Sequence, residues 1–538
     1  MTTNPGVPAE KRLPAILPLV LILMFTAGLY ANTINNELTY WDDNRYVTDN
    51  PRIRDLSPGG IIKIFDPGDI AKRRVSLAEY LPVTTLVHAI VYNISGLNPA
   101  GYHVANLLLY LIDIVLLYYL LNLIVRNTAA VLLSVLTFSV LTVHVESVTW
   151  VSGTKDVLSF LFLMLSFFAY IKFVRKEGRA LFYYGVSLVF FTLGLLSKTL
   201  VVTLPALLIL FDICVEKRGL KIADKVPYLA LGAFLSIVYM QVNKGLTGFV
   251  YLTTAMGHYR VFLTDLIVLK DYIRMFFLPL NLNAFYYYLP EDIPRTFFDP
   301  RVIYSAFVVA GSALVGVLSF FKGKRLVSFS IFWFFIAFLP ILNIIIPSST
   351  IRADRYMFIP SVGLSILTGW AVWKLTGLNA FSKRAVPVAF AAWVIFLSIL
   401  TFQRNGVWQD GITLWQDSTE KSPASPKAHS LLGNEYRHRG MTDEAVAQYE
   451  EALRLRPGYA PACTNLGILY GMNGRYGPAE ALFKECIGAN PAEIRLRINL
   501  AKIYIILGKR EMARAELVEV LKRDPENPTA RAMMHGKM

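Results

Sequence analysis

Charge is what this chain has least of. Asp, Glu, Lys and Arg together supply only 17% of its 538 residues, while 55% are hydrophobic. A mean hydropathy of +0.47 excludes an ordinary soluble protein of this length. Cysteine is nearly absent. Of the three, Cys214 closes an apolar run, and Cys463 and Cys486 stand 23 residues apart, a spacing that leaves a disulfide open. There is no GxSxG, no P-loop, no paired CxxC and no dinucleotide fingerprint. The common serine-hydrolase, nucleotide-cleaving, zinc-ribbon and nicotinamide chemistries therefore lack their signatures.

What is present is a series of apolar runs, each long enough to cross a bilayer. They fall near 14–33, 104–125, 128–149, 155–173, 180–196, 199–215, 226–244, 302–321, 327–346, 357–376 and 386–404. These make about eleven passes of an all-α, polytopic membrane domain over residues 1–405. The first run follows Lys11 and Arg12 but is longer than a signal-peptide core and shows no clear small-residue cleavage site, so it reads as a retained helix. The segment 259–280 carries Arg260, Asp265, Lys270, Asp271 and Arg274, too many charges for a lipid-facing helix, and reads as interfacial or re-entrant.

The formal net charge of +15 would point to nucleic acid if it were clustered on a soluble domain. Instead the cations sit in alternate gaps: Lys11 and Arg12, Arg126, 172–179, 216–225, 322–325, and Lys383 with Arg384. That alternation orients a membrane protein and speaks against nucleic-acid binding. It predicts a cytoplasmic N-terminus and a C-terminal region on the outer side of the plasma membrane.

From Ala424 the composition changes and a 34-residue period appears, over 424–457, 458–491 and 492–525. Leu432, Leu466 and Leu500 recur in register, as do Tyr436, Tyr470 and Tyr504; Gly440, Gly474 and Gly508; Ala445, Ala479 and Ala513; and Pro457, Pro491 and Pro525. This is the tetratricopeptide pattern, an α-solenoid of about three helix pairs. Residues 406–423 read as a lead-in helix and the last residues as a cap. Such a solenoid binds a peptide or protein in its groove, or else serves as a structural or dimerisation module.

Between the first two runs lies a long loop, 34–100, that opens with "TYWDDNRYVTDNP". Adjacent Asp42 and Asp43 point in different directions on any regular backbone, so one can act as a base while the other orients it, or both can be loop polarity. Other ionisable residues lie at the ends of runs predicted to reach the same face: His144 and Glu146, Asp156, Lys198, Arg352, Asp354 and Arg355. Intramembrane charge is expensive and is commonly retained for function. His144 and Glu146, two apart, match neither a helical metal pair nor a zinc set.

These motifs together resemble the C-type glycosyltransferases. "DDNRY" resembles the acidic pair in the first outer loop of transferases that use lipid-phosphate sugars. The order of "YLPVTTLVHAIVYNISGLNPAGYHVANLLLY", "HVESVTWVSGTKDVLSFLFLMLSF", "LSKTLVVTLPALLIL", "ADRYMFIPSVGL" and the repeats is similar to the transmembrane and tetratricopeptide-repeat-containing O-mannosyltransferases and their bacterial relatives. One position departs, since Asp43 stands where many members of the wider superfamily carry glutamate. The resemblance implies a polyprenyl-phosphate-linked hexose donor, a protein hydroxyl acceptor recruited by the repeats, inversion, and neither metal nor other cofactor. It implies Asp42 as base with Asp43 in support, Lys198, Arg352, Arg355 and Arg45 at the donor phosphate, and His144, Glu146, Asp156 and Tyr356 lining the site. A transferase acting on a surface glycan or lipid, and a non-catalytic envelope scaffold, are the competing expectations.

Overall fold

A computed structural model describes residues 16–68, 79–243, 251–343 and 350–536, with side chains of 251–256 excepted. Lys11, Arg12 and most of the charged stretch 71–80 lie outside these residues. All regular structure among the described residues is helical, and the chain divides into two units, Met1–Gln409 and Asp410–Met538.

In the first unit the helices are α1 (Ile16–Tyr30), α2 (Pro58–Phe65), α3 (Pro82–Ser95), α4 (Pro99–Val125), α5 (Thr128–Ser139), α6 (Val145–Thr149), α7 (Thr154–Val174) and α8 (Ala180–Ser197). They continue as α9 (Leu204–Phe211), α10 (Val226–Val242), α11 (Tyr251–Phe277), α12 (Pro300–Phe321), α13 (Arg325–Phe338), α14 (Ser361–Thr376) and α15 (Ala380–Val407). Helices prevail because a backbone in lipid must satisfy its own hydrogen bonds. Short polar caps mark where they begin. Asn98 accepts from Ala100 N ahead of α4, Asn127 from Ala130 N ahead of α5, and Asn379 forms a capping box with Ser382 ahead of α15. Arg126, at φ 56°, makes the tight reversal between α4 and α5.

This is a multi-pass membrane unit. Among the described residues eight helical segments are long and apolar enough to cross a bilayer, or nine if the pair Thr128–Ser139 and Thr142–Thr149, bent by 54°, is one span. The count of about eleven expected from the apolar runs is reached only if α13 and α14, of 14 and 16 residues, also cross. The segment Arg352–Tyr356 lies between the end of α13 at Phe338 and the start of α14 at Ser361. Helix α11 is not among the spanning candidates, as its charges require. Arg260 on α11 donates to the carbonyls of Ile293 and Pro294, and Trp393, midway along α15, donates to Phe277 O at its C-terminal end.

Two sets of polar contacts define the ends of the bundle. At one end, Asn405 on α15 donates to Leu29 O (3.0 Å) and Asn32 Oδ1 (3.1 Å), and Asn36 donates to Trp408 O (2.9 Å). The C-terminal ends of α1 and α15 therefore meet, and the unit's last residue, Gln409, accepts from Glu37 N at 2.8 Å. At the other end, Arg175 joins Leu123 O to Glu216, and Arg325 donates to Ile213 O. Buried Lys225 there pairs with Asp212 and Asp224. The basic gaps at 126, 172–179, 216–225 and 322–325 gather at this second end.

The long loop is ordered where it is described. Tyr46, Val47, Ile53, Ile64, Leu81, Tyr102 and Val151 form one apolar cluster beneath it. Helix α3 buries Val83, Thr84, His88 and Ala89 and leaves Ile90 and Ile94 exposed. Thr84 Oγ1 donates to Ser197 O, so this helix is docked on the end of α8.

The second unit holds α16 (Gly411–Lys421), then the pairs α17 (Pro426–His438) with α18 (Thr442–Leu455), α19 (Ala460–Met472) with α20 (Tyr476–Ala489), α21 (Ile494–Ile506) with α22 (Arg510–Arg523), and a final α23 (Pro528–Met534). The repeat pattern has direct structural causes. Gly440, Gly474 and Gly508 turn each pair at φ +74°, +71° and +74°, where a side chain is strained. Ala445, Ala479 and Ala513 are buried at the helix crossings. Gly433 and Gly467 let the rings of Tyr449 and Phe483 lie against the first helix of their pairs. Cys463 and Cys486, whose pairing the spacing left open, form a disulfide between α19 and α20 with Cα atoms 6.2 Å apart. The lead-in helix is present, although α15 runs on to Val407 and the unit boundary falls at Gln409 rather than 405.

A Cβ at Gly467 would lie 2.3 Å from Phe483 Cζ, whereas one at Gly477 meets nothing within 4 Å. Gly467→Ala is expected to destabilise the repeat unit by about 1–3 kcal/mol and Gly477→Ala to be near neutral. Limited proteolysis of the full chain across a temperature series reads this, and equal protection of both variants would contradict the packing.

Candidate functional site

The site begins with the unequal environments of two neighbouring carboxylates. Asp43 is 1% exposed. Its Oδ2 accepts from Thr39 N and Thr39 Oγ1, both at 2.9 Å, and its Oδ1 accepts from Ser152 N at 2.9 Å and from Ser152 Oγ. Burial pushes this carboxyl up to about 6, against the opposing pull of those donors. Asp43 thus staples the acidic loop to the turn Val151–Gly153. The Asp42 side chain keeps 27% of its surface exposed and has one charged neighbour, the Arg45 guanidinium at 4.0 Å. It accepts no side-chain hydrogen bond among the described residues. Of the pair, Asp42 is the more open carboxylate.

Trp150 joins this loop to the cations. Its indole N–H donates to Thr39 Oγ1 at 3.1 Å, and its ring stacks on Trp41 at 4.7 Å and 18°. Arg355 lies 5.8 Å from the centre of the Trp150 ring and Lys155 Nζ lies 5.7 Å from it. Arg355 is held by Glu146 on α6, which pairs with the guanidinium and accepts from Arg355 N at 2.8 Å. Lys198, at the end of α8, pairs with Asp156 in the first turn of α7. Burial pulls the Lys198 ammonium below its ordinary value, with Asp156 opposing. Asp156, Lys198, Leu200, Arg355, Tyr356 and Phe358 line one small pocket, and the Arg355 guanidinium sits 5.2 Å over the Tyr356 ring. Lys155, 7% exposed, sits 3.3 Å from Tyr46 Oη and 4.8 Å over the Tyr46 ring. Tyr46 Oη in turn donates to Glu79 at 3.3 Å.

The expected site residues are therefore only partly brought together. Asp42, Asp43, Glu146, Asp156, Lys198, Arg355 and Tyr356 converge around Trp150 and the adjoining pocket. His144 does not. It is fully buried, with Nδ1 3.0 Å from Tyr110 Oη, Nε2 2.9 Å from Ser361 Oγ, and Phe138 and Phe358 against its ring. Both ring nitrogens are satisfied inside the bundle, so His144 is a core residue and does not line the site. Arg352 is also displaced from the Lys198–Arg355 pocket. It pairs with Asp271 on α11 at 2.9 Å and packs 3.9 Å over the Tyr286 ring. Next to it, Asp354 accepts from Tyr286 Oη at 2.5 Å and faces Arg404 at 3.8 Å. Arg45, half-exposed, keeps among the described residues its distant contact with Asp42. Among the described residues no three His, Cys, Asp or Glu side chains are grouped to hold a metal ion.

Trp41, Trp150, Tyr46, Glu79 and Lys155 are the residues that reading the sequence did not single out. The available signal was Lys155 itself, an ammonium beside Asp156 in the opening turn of a largely apolar helix. The aromatic and acidic partners carry no local signature, because their roles come from contacts across 33 to 111 residues of chain.

Residues 81–242 match a family model described as dolichyl-phosphate-mannose-protein mannosyltransferase. Residues 433–474 and 472–535 match tetratricopeptide-repeat models. Among curated proteins the chain is similar to human protein O-mannosyl-transferase TMTC4, at 26% identity over 76% of this chain and 62% of that protein. It is also similar to human protein O-mannosyl-transferase TMTC3, at 21% over 77% and 49%. The chain thus spans about half to three fifths of the length of these relatives. Among solved structures it aligns with ArnT from Cupriavidus metallidurans bound to undecaprenyl phosphate, at 13% identity and a TM-score of 0.41, covering 78% of this chain and 81% of that one.

The asymmetry of the acidic pair has a measurable consequence. Asp43→Asn leaves at least one of four donors facing an amide N–H and is expected to lower stability by about 1–3 kcal/mol. Asp42→Asn is expected to leave stability within about 0.5 kcal/mol of the unaltered chain. Thermal unfolding of the two purified variants in detergent distinguishes them, and equal midpoints would refute the staple.

Proposed function

We propose that this chain is a membrane glycosyltransferase that moves a sugar, mannose or another hexose, from a polyprenyl-phosphate donor to a hydroxyl of a protein. The observation that carries the reading is a single open carboxylate, Asp42, held by a rigid loop beside buried, oriented cations. Asp42 removes the acceptor proton as the hydroxyl oxygen attacks the anomeric carbon. The bond to the phosphate breaks on the opposite side of the ring, so configuration inverts. The electron pair leaves with the lipid phosphate, which needs no proton, only positive charge to meet the charge that develops. Lys198 and Arg355 supply it, and Asp156 and Glu146 fix their position without leaving the pocket. No step requires a metal.

The match of residues 81–242 supports this reading, since it contains Glu146, Asp156 and Lys198. The names of the curated relatives support the choice of sugar and of a protein acceptor. The repeats fit the task of recruiting that acceptor, because stacked helix pairs bind extended segments of protein. The membrane unit's final residue, Gln409, is bonded to Glu37, five residues before Asp42. A disulfide in the second repeat fits an oxidising compartment, the outer face of a plasma membrane.

Asp42→Asn is expected to reduce transfer at least about a hundredfold while the protein remains in the membrane, and addition of a chelator is expected to leave transfer unchanged. Mass spectrometry of envelope proteins, counting hexose on acceptor peptides with and without the active chain, checks this. Retained hexose with Asp42→Asn would favour a scaffold instead. In intact cells, a membrane-impermeant maleimide should label Cys463 and Cys486 only after an impermeant reductant is added. Labelling only after the membrane is permeabilised would place the repeats on the cytoplasmic side.

A further inference from the structure

The cations around the site are not equivalent. Lys198 is paired with Asp156, Arg355 with Glu146, and Arg352 with Asp271. Lys155 is 7% exposed and has no carboxylate within ion-pairing distance among the described residues. Among the described residues its hydrogen-bond partner is Tyr46 Oη at 3.3 Å, and the ring faces of Tyr46 and Trp150 lie 4.8 and 5.7 Å from it. An ammonium has three donors, and among the described residues one of them meets a hydrogen-bond acceptor. Glu79 lies beyond the Tyr46 hydroxyl, which donates to it at 3.3 Å. A buried charge without a counterion is a large penalty in a folded protein, and ring faces offset only part of it.

Helix geometry accounts for the separation of Lys155 from its neighbour. Consecutive residues on α7 project about 100° apart, so Asp156 turns to Lys198 while Lys155 turns to Trp150 and Tyr46. That places the unpaired ammonium between the acidic loop, which holds both Tyr46 and Asp42, and the Lys198–Arg355 pocket. We infer that Lys155 is a ligand of the donor's phosphate, and that the missing counterion of this buried ammonium is the anionic head of the polyprenyl-phosphate substrate. This rests on the reaction proposed above and assigns its ground-state phosphate contact to a residue distinct from the already neutralised Lys198 and Arg355. Paired cations orient the group and meet developing charge. An unpaired one contributes net attraction to the bound anion.

The test uses the full chain in nanodiscs, with undecaprenyl phosphate and the neutral alcohol undecaprenol as probes. Lys155→Met is expected to weaken undecaprenyl phosphate binding about ten- to a hundredfold, the loss of one charge-assisted contact. Binding of undecaprenol should stay within about twofold of the unaltered chain, and Lys155→Arg should retain most of the phosphate affinity. Lys155→Gln replaces the methionine variant if that one does not fold. A purely structural lysine would change both probes alike, which overturns the inference. So does unchanged phosphate binding by Lys155→Met, which leaves the proposed reaction standing. Competition by phosphatidylglycerol as effective as that by undecaprenyl phosphate overturns it as well, by marking a general headgroup site. Failure of the unaltered chain to bind undecaprenyl phosphate at all overturns the donor reading itself.

Discussion

Charge inside an apolar helical bundle has to be matched, and this constraint organises the membrane unit at both ends. A solitary ion among lipid-facing helices is so unfavourable that it is paired, hydrogen-bonded or placed where a ligand completes it. At the end carrying the basic gaps, Lys225 is wholly buried and closes on Asp212 and Asp224 while Arg175 closes on Glu216. Those groups satisfy one another and lock helix ends together. At the opposite end the same rule produces Lys198 with Asp156 and Arg355 with Glu146, but the pairs border a pocket and an open carboxylate. Lys225 and Arg175 are paired at the first end, whereas Lys155 at the second has no carboxylate partner among the described residues.

Rigidity of the acidic loop comes from a second use of the same constraint. Asp43 is taken out of solvent and given four donors, two from Thr39 and two from Ser152, so its burial is compensated by hydrogen bonds instead of a cation. With Trp41 stacked on Trp150, the backbone on both sides of Asp42 is immobilised while the Asp42 side chain stays accessible. A base useful for deprotonating a hydroxyl must be placed without being consumed by its own support. Adjacent aspartates can differ so in exposure because successive side chains leave the backbone in different directions.

The repeat unit obeys different physics, since its problem is close approach of helices rather than burial of charge. Gly433, Gly467 and Ala501 occupy one register position, and in the first two repeats a ring fills the space where a Cβ would be. Left-handed glycines then reverse the chain within each pair. The disulfide between Cys463 and Cys486 ties the two helices of the middle repeat, which has neighbours on both sides and a continuous apolar core with the third.

The apolar runs, the alternate basic gaps and the 34-residue period determined the helical class, the membrane domain and the solenoid directly, because each is a local property of hydropathy or of a turn residue. Even the count of passes was bounded, short only where α13 and α14 are too brief to decide by length. The acidic pair was legible as a candidate because charge next to an apolar run is costly wherever it occurs. Which aspartate is open, that His144 is a core residue, and that Arg352 belongs with Asp271 could not be read, because burial and partner choice depend on contacts between distant segments. Tertiary structure decided those points, and it alone shows which groups surround Lys155. An unpaired charge is a relation among all the groups that surround it, and no stretch of chain contains that relation by itself.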